Sequence, residues 1–272
     1  MKRLLPYAAR VELRRAARWL RRLPERRQLA RRYADSAEAY DRLLVEHTSK
    51  LIRKVAPHLM HLQSNKVHNL ALACARLDRL LIEPGEVFSF CSLVGRTSRR
   101  RGYLDGLEMH KGELTGAPGG GLCQLSNLIY WMTLHLNLEI VERHRHGFDL
   151  FPDDGRAVPF GMGATAFYNY VDFRFRNTLD QPLLLRVFVE PPELRGGFYS
   201  DREKPFEVKI VETEHRFFRD AEGVVWRENR VAKQVSHRDG RPPVIEEIAH
   251  NLARVRYEVP EDMIEDRRDT AP

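Results

Sequence analysis

The sequence predicts an α+β protein, in which N-terminal helices precede a central mixed domain with antiparallel strands and a β-rich C-terminal extension. Apolar residues recur at helical spacing through much of the first half, and short alternating or apolar runs bounded by turn residues dominate after residue 138. The hydrophobic fraction of 43% and the charged fraction of 31% are typical of a globular protein with a packed core. We expect four segments, at residues 1–35, 36–190, 191–262 and, as a frayed tail, 263–272.

The first segment is predicted to be a basic amphipathic helix. Residues 1–32 hold twelve Lys and Arg against two Glu, a local charge of +10, so the other 240 residues sum to 7 − 10 = −3. Apolar residues recur there at helical spacing, at Leu13, Ala16, Ala17, Leu20 and Leu23. Three interpretations stay open: the apolar stripe packs on the body, the helix lies on an anionic membrane with Trp19 among the headgroups, or it binds nucleic acid. Because no nucleic-acid motif or aromatic interleaving accompanies the charge, no nucleic-acid partner is expected.

The hydropathy pattern and the cysteines indicate in which cellular compartment the protein is expected. No stretch approaches the roughly 18 uninterrupted apolar residues of a membrane span, and arginines interrupt the N-terminus too often for a secretory signal. We therefore expect a cytoplasmic protein, either free or peripheral at the inner face of the membrane. Cys74, Cys91 and Cys123 fit neither a disulfide framework nor the CxxC spacing of a structural zinc site. No cofactor is expected.

Two further helices and a strand are predicted before residue 91. Residues 36–60 are expected to be helical, with Asp35 or Ser36 as the cap. A second helix places one set of apolar residues on a single face, which we expect to be buried, with the cysteine among them as a core residue: Leu70, Ala73, Cys74, Leu77 and Leu81. Pro84-Gly85 is expected to end that helix, and residues 87–90 read as a strand.

A glycine-rich turn followed by a helix is predicted around Cys123. The helix would bury one stripe of residues, Leu125, Leu128, Ile129, Met132 and Leu136. Cys123 and Gln124 would then lie at the exposed start of the helix, where unpaired N–H groups and the positive end of the helix dipole favour a thiolate. We therefore expect the pKa of Cys123 to fall below ~8.5, and we expect the same amides to be able to bind an oxyanion.

The chain beyond this helix is predicted to be built from strands. One strand places Ile140, Glu142, His144 and His146 on the same side, and a later strand carries Asp172 on the face opposite Phe173. A turn at 177–181 and an apolar strand at 182–190 follow. Beyond residue 191 the hairpin signals are at residues 220–225 and, more strongly, at Asp239-Gly240.

These residues suggest a cysteine-dependent site. The predicted roles are nucleophile for Cys123, base for His146 with His144 as the alternate, orienting acid for Asp172, and oxyanion donor for Gln124. Gly119, Gly120 and Gly121 would let a ligand's backbone approach closely. Two other interpretations stay open. In one, the turn and the cysteine are purely structural; in the other, Cys123, His144 and His146 hold zinc.

Four stretches, in this order, resemble the VanW family over about residues 67–190: "PGEVFSF", "GGGLCQLSNLIYW", "IVERHRHG" and "VDFRFRNTLDQPLLL". The family takes its name from an accessory protein encoded with B-type vancomycin resistance. The resemblance implies a VanW-type central domain, an association with the cell envelope and antibiotic resistance, and a peptide or peptidoglycan precursor as ligand. The motif residues that it carries over are Gly119, Gly120, Gly121, Cys123, Gln124, Ser126, His144, His146 and Asp172.

One position departs from the family pattern. Gly163 stands where family sequences often have an acidic residue before Ala-Thr. Any role of that acid is therefore not expected here. The cysteine site predicts a cysteine-dependent hydrolase or acyl transferase, and the resemblance implies a peptide or cell-wall precursor as its substrate. The alternative is a non-catalytic ligand-binding accessory protein linked to the cell envelope or to glycopeptide resistance.

Overall fold

The computed structural model describes residues 7–53, 55–110, 113–145, 148–149 and 158–266. Its α-helices are α1 (Tyr7–Arg21), α2 (Met60–Cys74), α3 (Phe90–Val94) and α4 (Cys123–His135). In the part of the chain so described, none of the helices has the length and apolar character needed to cross a membrane.

Apart from the nine-residue strand Arg42–Lys50, the strands of the first half are short. They are β1 (Arg32–Tyr33), β2 (Arg42–Lys50), β3 (Leu80–Ile82), β4 (Val87–Ser89), β5 (Asp105–His110), β6 (Glu113–Pro118), β7 (Glu139–Glu142) and β8 (Phe148–Asp149). The later strands are β9 (Arg174–Arg176), β10 (Leu183–Glu190), β11 (Glu193–Ser200), β12 (Phe206–Arg219), β13 (Val225–His237), β14 (Val244–Val255) and β15 (Ile264–Asp266).

These strands form mostly antiparallel sheets, as the sequence predicts. One sheet has the order β1-β3-β10-β11-β2, and a second, built on the C-terminal extension, has the order β15-β12-β13-β14-β8. A smaller sheet, β4-β9-β7, and the hairpin β5-β6 complete the pairing among the described residues. Only the edge pairs β12-β15 and β14-β8 are parallel within these sheets. The α+β prediction is therefore confirmed.

The helix α4 lies at the centre of the apolar core. The stripe predicted from its sequence is fully buried, and α4 packs on β2, β11 and β12. Gly196 on β11 makes this close packing possible, because a Cβ there would overlap the side chain of Leu128. Val231 of the extension belongs to the same core, so the extension and the central domain share their apolar interior.

The predicted helix at residues 36–60 is wrong. Residues 42–50 form strand β2 instead, which pairs with β11 along its whole length and buries Leu44 in the core. Local helix propensity in this stretch is outweighed by the backbone pairing and side-chain burial that β11 offers.

The helix α2 is real but ends earlier than predicted. It stops at Cys74, the chain turns through Arg79 with φ at 65°, and Leu81 lies on β3 rather than on the helix. Cys74 and Leu77 are nevertheless buried, which confirms Cys74 as a core residue. A turn can bury the same apolar residues as another helical turn, so periodicity alone does not locate the end of the helix.

The C-terminal extension follows the predicted β pattern with one correction. Both hairpin turns are present, with Gly223 and Gly240 at positive φ. Residues 264–266, expected to be frayed, form β15 and pair with β12. The rest of the predicted tail, residues 267–272, lies outside the described residues.

The helix α1 packs on the body with its arginines, not with its apolar stripe. Arg18 and Arg22 both pair with Glu142, and Arg15 donates from Nε to the carbonyl of Tyr168 at 3.1 Å. Leu13, Leu20 and Leu23 of the predicted stripe are exposed. The interpretation in which the apolar stripe packs on the body is therefore wrong, because buried carboxylates on the body attract the basic face.

Candidate functional site

The glycine turn that precedes α4 is packed tightly by the protein itself. Gly119 and Gly121 have φ values of 80° and 93°, which favour glycine. A Cβ on Gly119 would overlap Thr97, and one on Gly120 would overlap the backbone carbonyl of Gly106 on β5. These glycines are thus required by turn geometry and by neighbouring chain atoms. Their predicted contact with a ligand stays a prediction.

The helix α2 supports the turn through two buried polar residues. Asn69 donates from Nδ2 to the carbonyls of Leu104 at 2.9 Å and Gly120 at 3.1 Å. The stem of Lys66 occupies the space where a Cβ of Gly121 would project. Lys66 is only 6% exposed, and burial, together with the positive charge of Arg53, lowers its pKa to about 8.

Cys123 is the first residue of α4, as predicted, and it is half-buried. Two backbone N–H groups, those of Ala166 and of Cys123 itself, are directed at its sulfur. Burial nevertheless raises the pKa of the thiol, and the negative charge of Glu108 raises it further. The expectation of a lowered pKa is therefore wrong, because desolvation outweighs the N–H groups and the helix terminus. The thiol is predominantly protonated near neutral pH.

A segment at residues 163–166 lies across the start of α4. Ser126 donates from Oγ to the carbonyl of Ala164 at 2.5 Å, and Asn127 Oδ1 accepts from the Ala164 N–H at 2.6 Å. The Thr165 N–H donates to the carbonyl of His144 at 2.7 Å. The chain at His144 is therefore linked through this segment to the residues around Cys123.

Ser126 and Gln124 make contacts that differ from their predicted roles. Ser126 has no exposed surface, so it offers nothing to a ligand in this conformation. Gln124 donates from Nε2 to Ser49 Oγ and to the carbonyl of Lys50, both at 2.8 Å. These bonds anchor α4 to the end of β2. A role for Gln124 as an oxyanion donor stays a prediction that would require its amide to leave them.

Of the two histidines, His144 lies among the described residues. His144 Nε2 lies 3.0 Å from Glu142 Oε1, and Glu142 also pairs with Arg18 and Arg22. The imidazole of His144 thus faces the docked α1. His146, the predicted base, lies outside the described residues.

Asp172 is completely buried and occupies a cluster of its own. Its Oδ2 accepts from Arg22 Nη1 at 2.8 Å and from Ser89 Oγ at 2.7 Å, and its Oδ1 accepts from the Cys91 N–H at 2.8 Å. These contacts tie α1, the start of α3 and β4 together. Among the described residues, the groups that donate to this carboxylate are Arg22, Ser89 and the Cys91 N–H, and none of them is a histidine. The role of Asp172 in orienting the histidine base stays a prediction.

Cys91 is not a competing nucleophile. Its Sγ lies 3.4 Å from the carbonyl of Val171, to which it donates. Burial raises the pKa of this thiol well above its ordinary value, and the charge of Asp172 adds to the shift. Burial likewise raises the pKa of Cys74, to about 12. Cys74 and Cys91 are buried residues, whereas Cys123 is partly exposed.

A cavity of about 360 Å³ opens beside the glycine turn. Its lining residues are Asn65, Arg99, Gly102, Tyr103, Leu104 and Asp105. Two buried polar atoms of this lining, Tyr103 Oη and Asp105 Oδ1, have no hydrogen-bond partner among the described residues. Buried polar atoms without a partner are costly, so these two atoms lower the stability of the protein behind the cavity wall.

The C-terminal extension holds the chain on both sides of residues 150–157. Asn229 and Asn251 both donate to the carbonyl of Phe160, at 3.0 and 3.1 Å. On the other side, Asp149 accepts from Arg227 Nη1 at 3.1 Å and from Tyr257 Oη at 2.7 Å. The extension therefore fixes the positions of Asp149 and Phe160.

Sequence reasoning found Cys123 but missed three groups: Glu108 and the N–H of Ala166 beside its sulfur, and Lys66 beneath Gly121. A lysine on the buried side of α2 was the available signal, since an unpaired lysine is rarely buried. As for the zinc interpretation, the described residues bring together no set of three metal-ligating side chains, and His146 falls outside them.

Comparisons with known proteins converge on one family. Residues 65–199 match the family described as "VanW like protein". The chain is 32% identical over 201 residues to the vancomycin B-type resistance protein VanW of Enterococcus faecalis (strain ATCC 700802 / V583). The matched region covers 74% of this chain and 73% of that protein. It is 31% identical over 148 residues to the uncharacterized protein YoaR of Bacillus subtilis (strain 168), covering 53% of this chain and 46% of YoaR. No solved structure matches.

Proposed function

The chain belongs to the VanW family, and from that premise we propose that it is a cysteine-dependent hydrolase or acyl transferase acting on a peptide or cell-wall precursor. The proposal rests on the groups that surround the sulfur atom of Cys123. Cys123 is a partly exposed residue at the start of α4, and the N–H groups of Ala166 and Cys123 are directed at its sulfur. Backbone N–H groups beside a nucleophile are suited to stabilise the oxyanion that forms when it attacks a carbonyl.

The raised pKa of Cys123 sets a requirement on the mechanism. Because the thiol keeps its proton near neutral pH, a base must take that proton as the sulfur attacks. We assign this role to His146. It follows two residues after His144, whose carbonyl accepts from the Thr165 N–H in the segment that lies over the start of α4. His144, whose imidazole faces Glu142, is the alternate base.

The reaction proceeds in two steps, acylation of the sulfur and then release of the acyl group. The sulfur bonds to the substrate carbonyl carbon while its proton passes to the imidazole, and the two N–H groups hold the developing oxyanion. The C–N bond then breaks, and the leaving amine takes the proton from the imidazole. Water or a second amine attacks the resulting thioester, which releases the product and returns a proton to the sulfur. Water gives hydrolysis and an amine gives transfer.

The substrate class follows from charge and from the relatives. Lys66 places a buried positive charge beneath the glycine turn. A peptide with a free terminal carboxylate would complement this charge. Since a relative is named for vancomycin resistance, we propose a peptidoglycan precursor peptide that ends in D-Ala.

The second candidate function is binding without catalysis. The protonated thiol of Cys123 and the buried cation of Lys66 favour it, because both suit recognition of an anionic ligand by a pre-formed site. In this case the protein would be an accessory to an envelope enzyme.

A Cys123→Ser variant separates the two functions. We expect the wild-type chain to release D-Ala from a synthetic pentapeptide ending in D-Ala-D-Ala, and the variant to do so about 10³-fold more slowly, with peptide affinity changed less than about twofold. Mass spectrometry measures the release and calorimetry measures the affinity. Cys74→Ala, at a buried cysteine away from the turn, is the matched control and should keep wild-type turnover.

Two outcomes would contradict catalysis at this sulfur. Unchanged release by Cys123→Ser would remove Cys123 as the nucleophile. Peptide binding without release by the wild type would support the binding function instead.

A further inference from the structure

The helix α1 presents two opposite faces with different chemistry. At 3.6 residues per turn, Arg15, Arg18 and Arg22 share one face, while Leu13 and Leu20 lie on the other. The packing assigns the first face to the body and the second to the solvent.

The inward face is fixed by charge pairs. Arg22 contacts the buried Asp172 and, with Arg18, the largely buried Glu142. Arg18 Nη1 also donates to the carbonyl of Tyr170 at 2.8 Å. These bonds set the rotation of the helix about its axis, so the apolar face is held outward by the fold.

The outward face is apolar at its centre and basic at its edge. Leu13 and Leu20, which share this face, are each 58% exposed, and Trp19 at the side of the helix is 49% exposed with Arg26 over its ring. Large apolar side chains exposed on one helix face suit an interface better than water. The rim carries exposed arginines of the helix and of the turn that follows: Arg10, Arg14, Arg21, Arg26 and Arg27.

The acidic residues of this region do not cancel the rim charge. Glu12 pairs with Arg15 at 2.7 Å and with Arg96 at 2.9 Å, and Glu25 pairs with Arg174 at 2.6 Å. Residues 1–32 retain a formal charge of +10.

We propose that this outward face of α1 docks on an anionic lipid bilayer. Leu13, Leu20 and Trp19 would enter the interface between headgroups and acyl chains, and the arginines at the rim would contact anionic headgroups. Nucleic acid offers the negative charge but no apolar phase for the leucines. A second copy of the chain would bring one +10 segment against another.

Docking through α1 would bring to the membrane the part of the body on which this helix packs. The helix packs on residues 168–172, which directly follow the segment over Cys123. The proposal does not depend on catalysis, since the two faces of α1 carry it by themselves.

Vesicle flotation of the full chain tests the proposal. The probes are vesicles of phosphatidylcholine alone and vesicles with about one third phosphatidylglycerol. We expect the wild type to float only with the anionic vesicles, and to lose this binding at about 0.5 M salt, where charge attraction is screened. Leu13→Glu combined with Leu20→Glu should abolish flotation, and Arg21→Glu should weaken binding by at least about fivefold.

A matched pair of substitutions controls for added negative charge. Val244→Glu combined with Ile245→Glu changes two exposed apolar residues on β14 and should leave flotation unchanged. Unfolding curves identical to the wild type would show that the α1 variants still fold. Absence of the wild type from the lipid fraction, or flotation that survives the Leu13/Leu20 change, would overturn the proposal. So would a wild-type dimer in sedimentation that this change dissociates, because a second copy would then cover the face.

Discussion

Asp172→Ala is expected to lower the free energy of unfolding by about 3–5 kcal/mol, since it removes one partner of a buried ion pair. The Asp172 carboxylate has no exposed surface and accepts hydrogen bonds from Arg22, Ser89 and the Cys91 N–H. The substitution leaves the buried Cys91 N–H without its acceptor and removes a charge that holds α1. We expect α1 to loosen together with the loss of global stability.

Urea unfolding at pH 7 measures this effect, with Asp172→Asn as the matched control. Asn keeps an oxygen that can accept from the Cys91 N–H but loses the charge, so its cost should be smaller. A loss below about 1 kcal/mol for Asp172→Ala would contradict the structural role. Asp172→Asn with wild-type stability but much slower turnover would instead support the catalytic role predicted from the sequence.

Lys66→Met is expected to raise the free energy of unfolding at pH 7 by about 3 kcal/mol. The pKa of Lys66 is lowered from its ordinary value of 10.5 to about 8, so the folded state pays for holding this ammonium buried. Between about pH 8 and pH 10.5 the unfolded chain binds the proton more strongly than the folded chain. Through this group, wild-type stability therefore rises with pH across that range and is lowest below pH 8.

The difference between wild type and Lys66→Met isolates this group from others that titrate in the same range. We expect the stability advantage of the variant to be largest at pH 7 and to shrink as the pH approaches 10.5. Lys209→Met, at an exposed lysine of β12, is the control and should show little change at any pH. A destabilised Lys66→Met protein would show that the ammonium has a stabilising partner. If Lys66 binds substrate, the stabler variant should also bind the peptide more weakly, as expected where a site is maintained against stability.

Elements with a strong local pattern were predictable from the sequence. The stripe of α4, the apolar strand β10 and the two C-terminal hairpins each follow from spacing and turn residues alone. Residues 36–60 were mispredicted because β2 exists only through its pairing with β11, a partner about 150 residues away in the chain. The orientation of α1 also depends on distant groups. Its apolar stripe is evident in the sequence, but the buried carboxylates that turn it outward are not.

The candidate site was predictable in position but not in chemistry. The glycine turn and the helix start at Cys123 are local features, and the structure has both. The pKa of Cys123 depends on burial and on Glu108 from β5, and the donor at Ala166 comes from a loop more than 40 residues away. Asp172 has the right residue type for a catalytic acid, yet its contacts with Ser89, Cys91 and Arg22 could not be inferred from spacing. Long-range packing determines such contacts, and one sequence does not reveal them.

The central claim is that the Cys123 sulfur forms a covalent acyl intermediate, and acid quenching followed by peptide mapping tests it most directly. The full chain is mixed with the D-Ala-D-Ala pentapeptide, stopped with acid during turnover, digested and analysed by mass spectrometry. We predict a thioester of the peptide minus its terminal D-Ala, located on Cys123 and absent from Cys123→Ala. Release of D-Ala without that adduct, or an adduct on Cys74 or Cys91 instead, would contradict the claim.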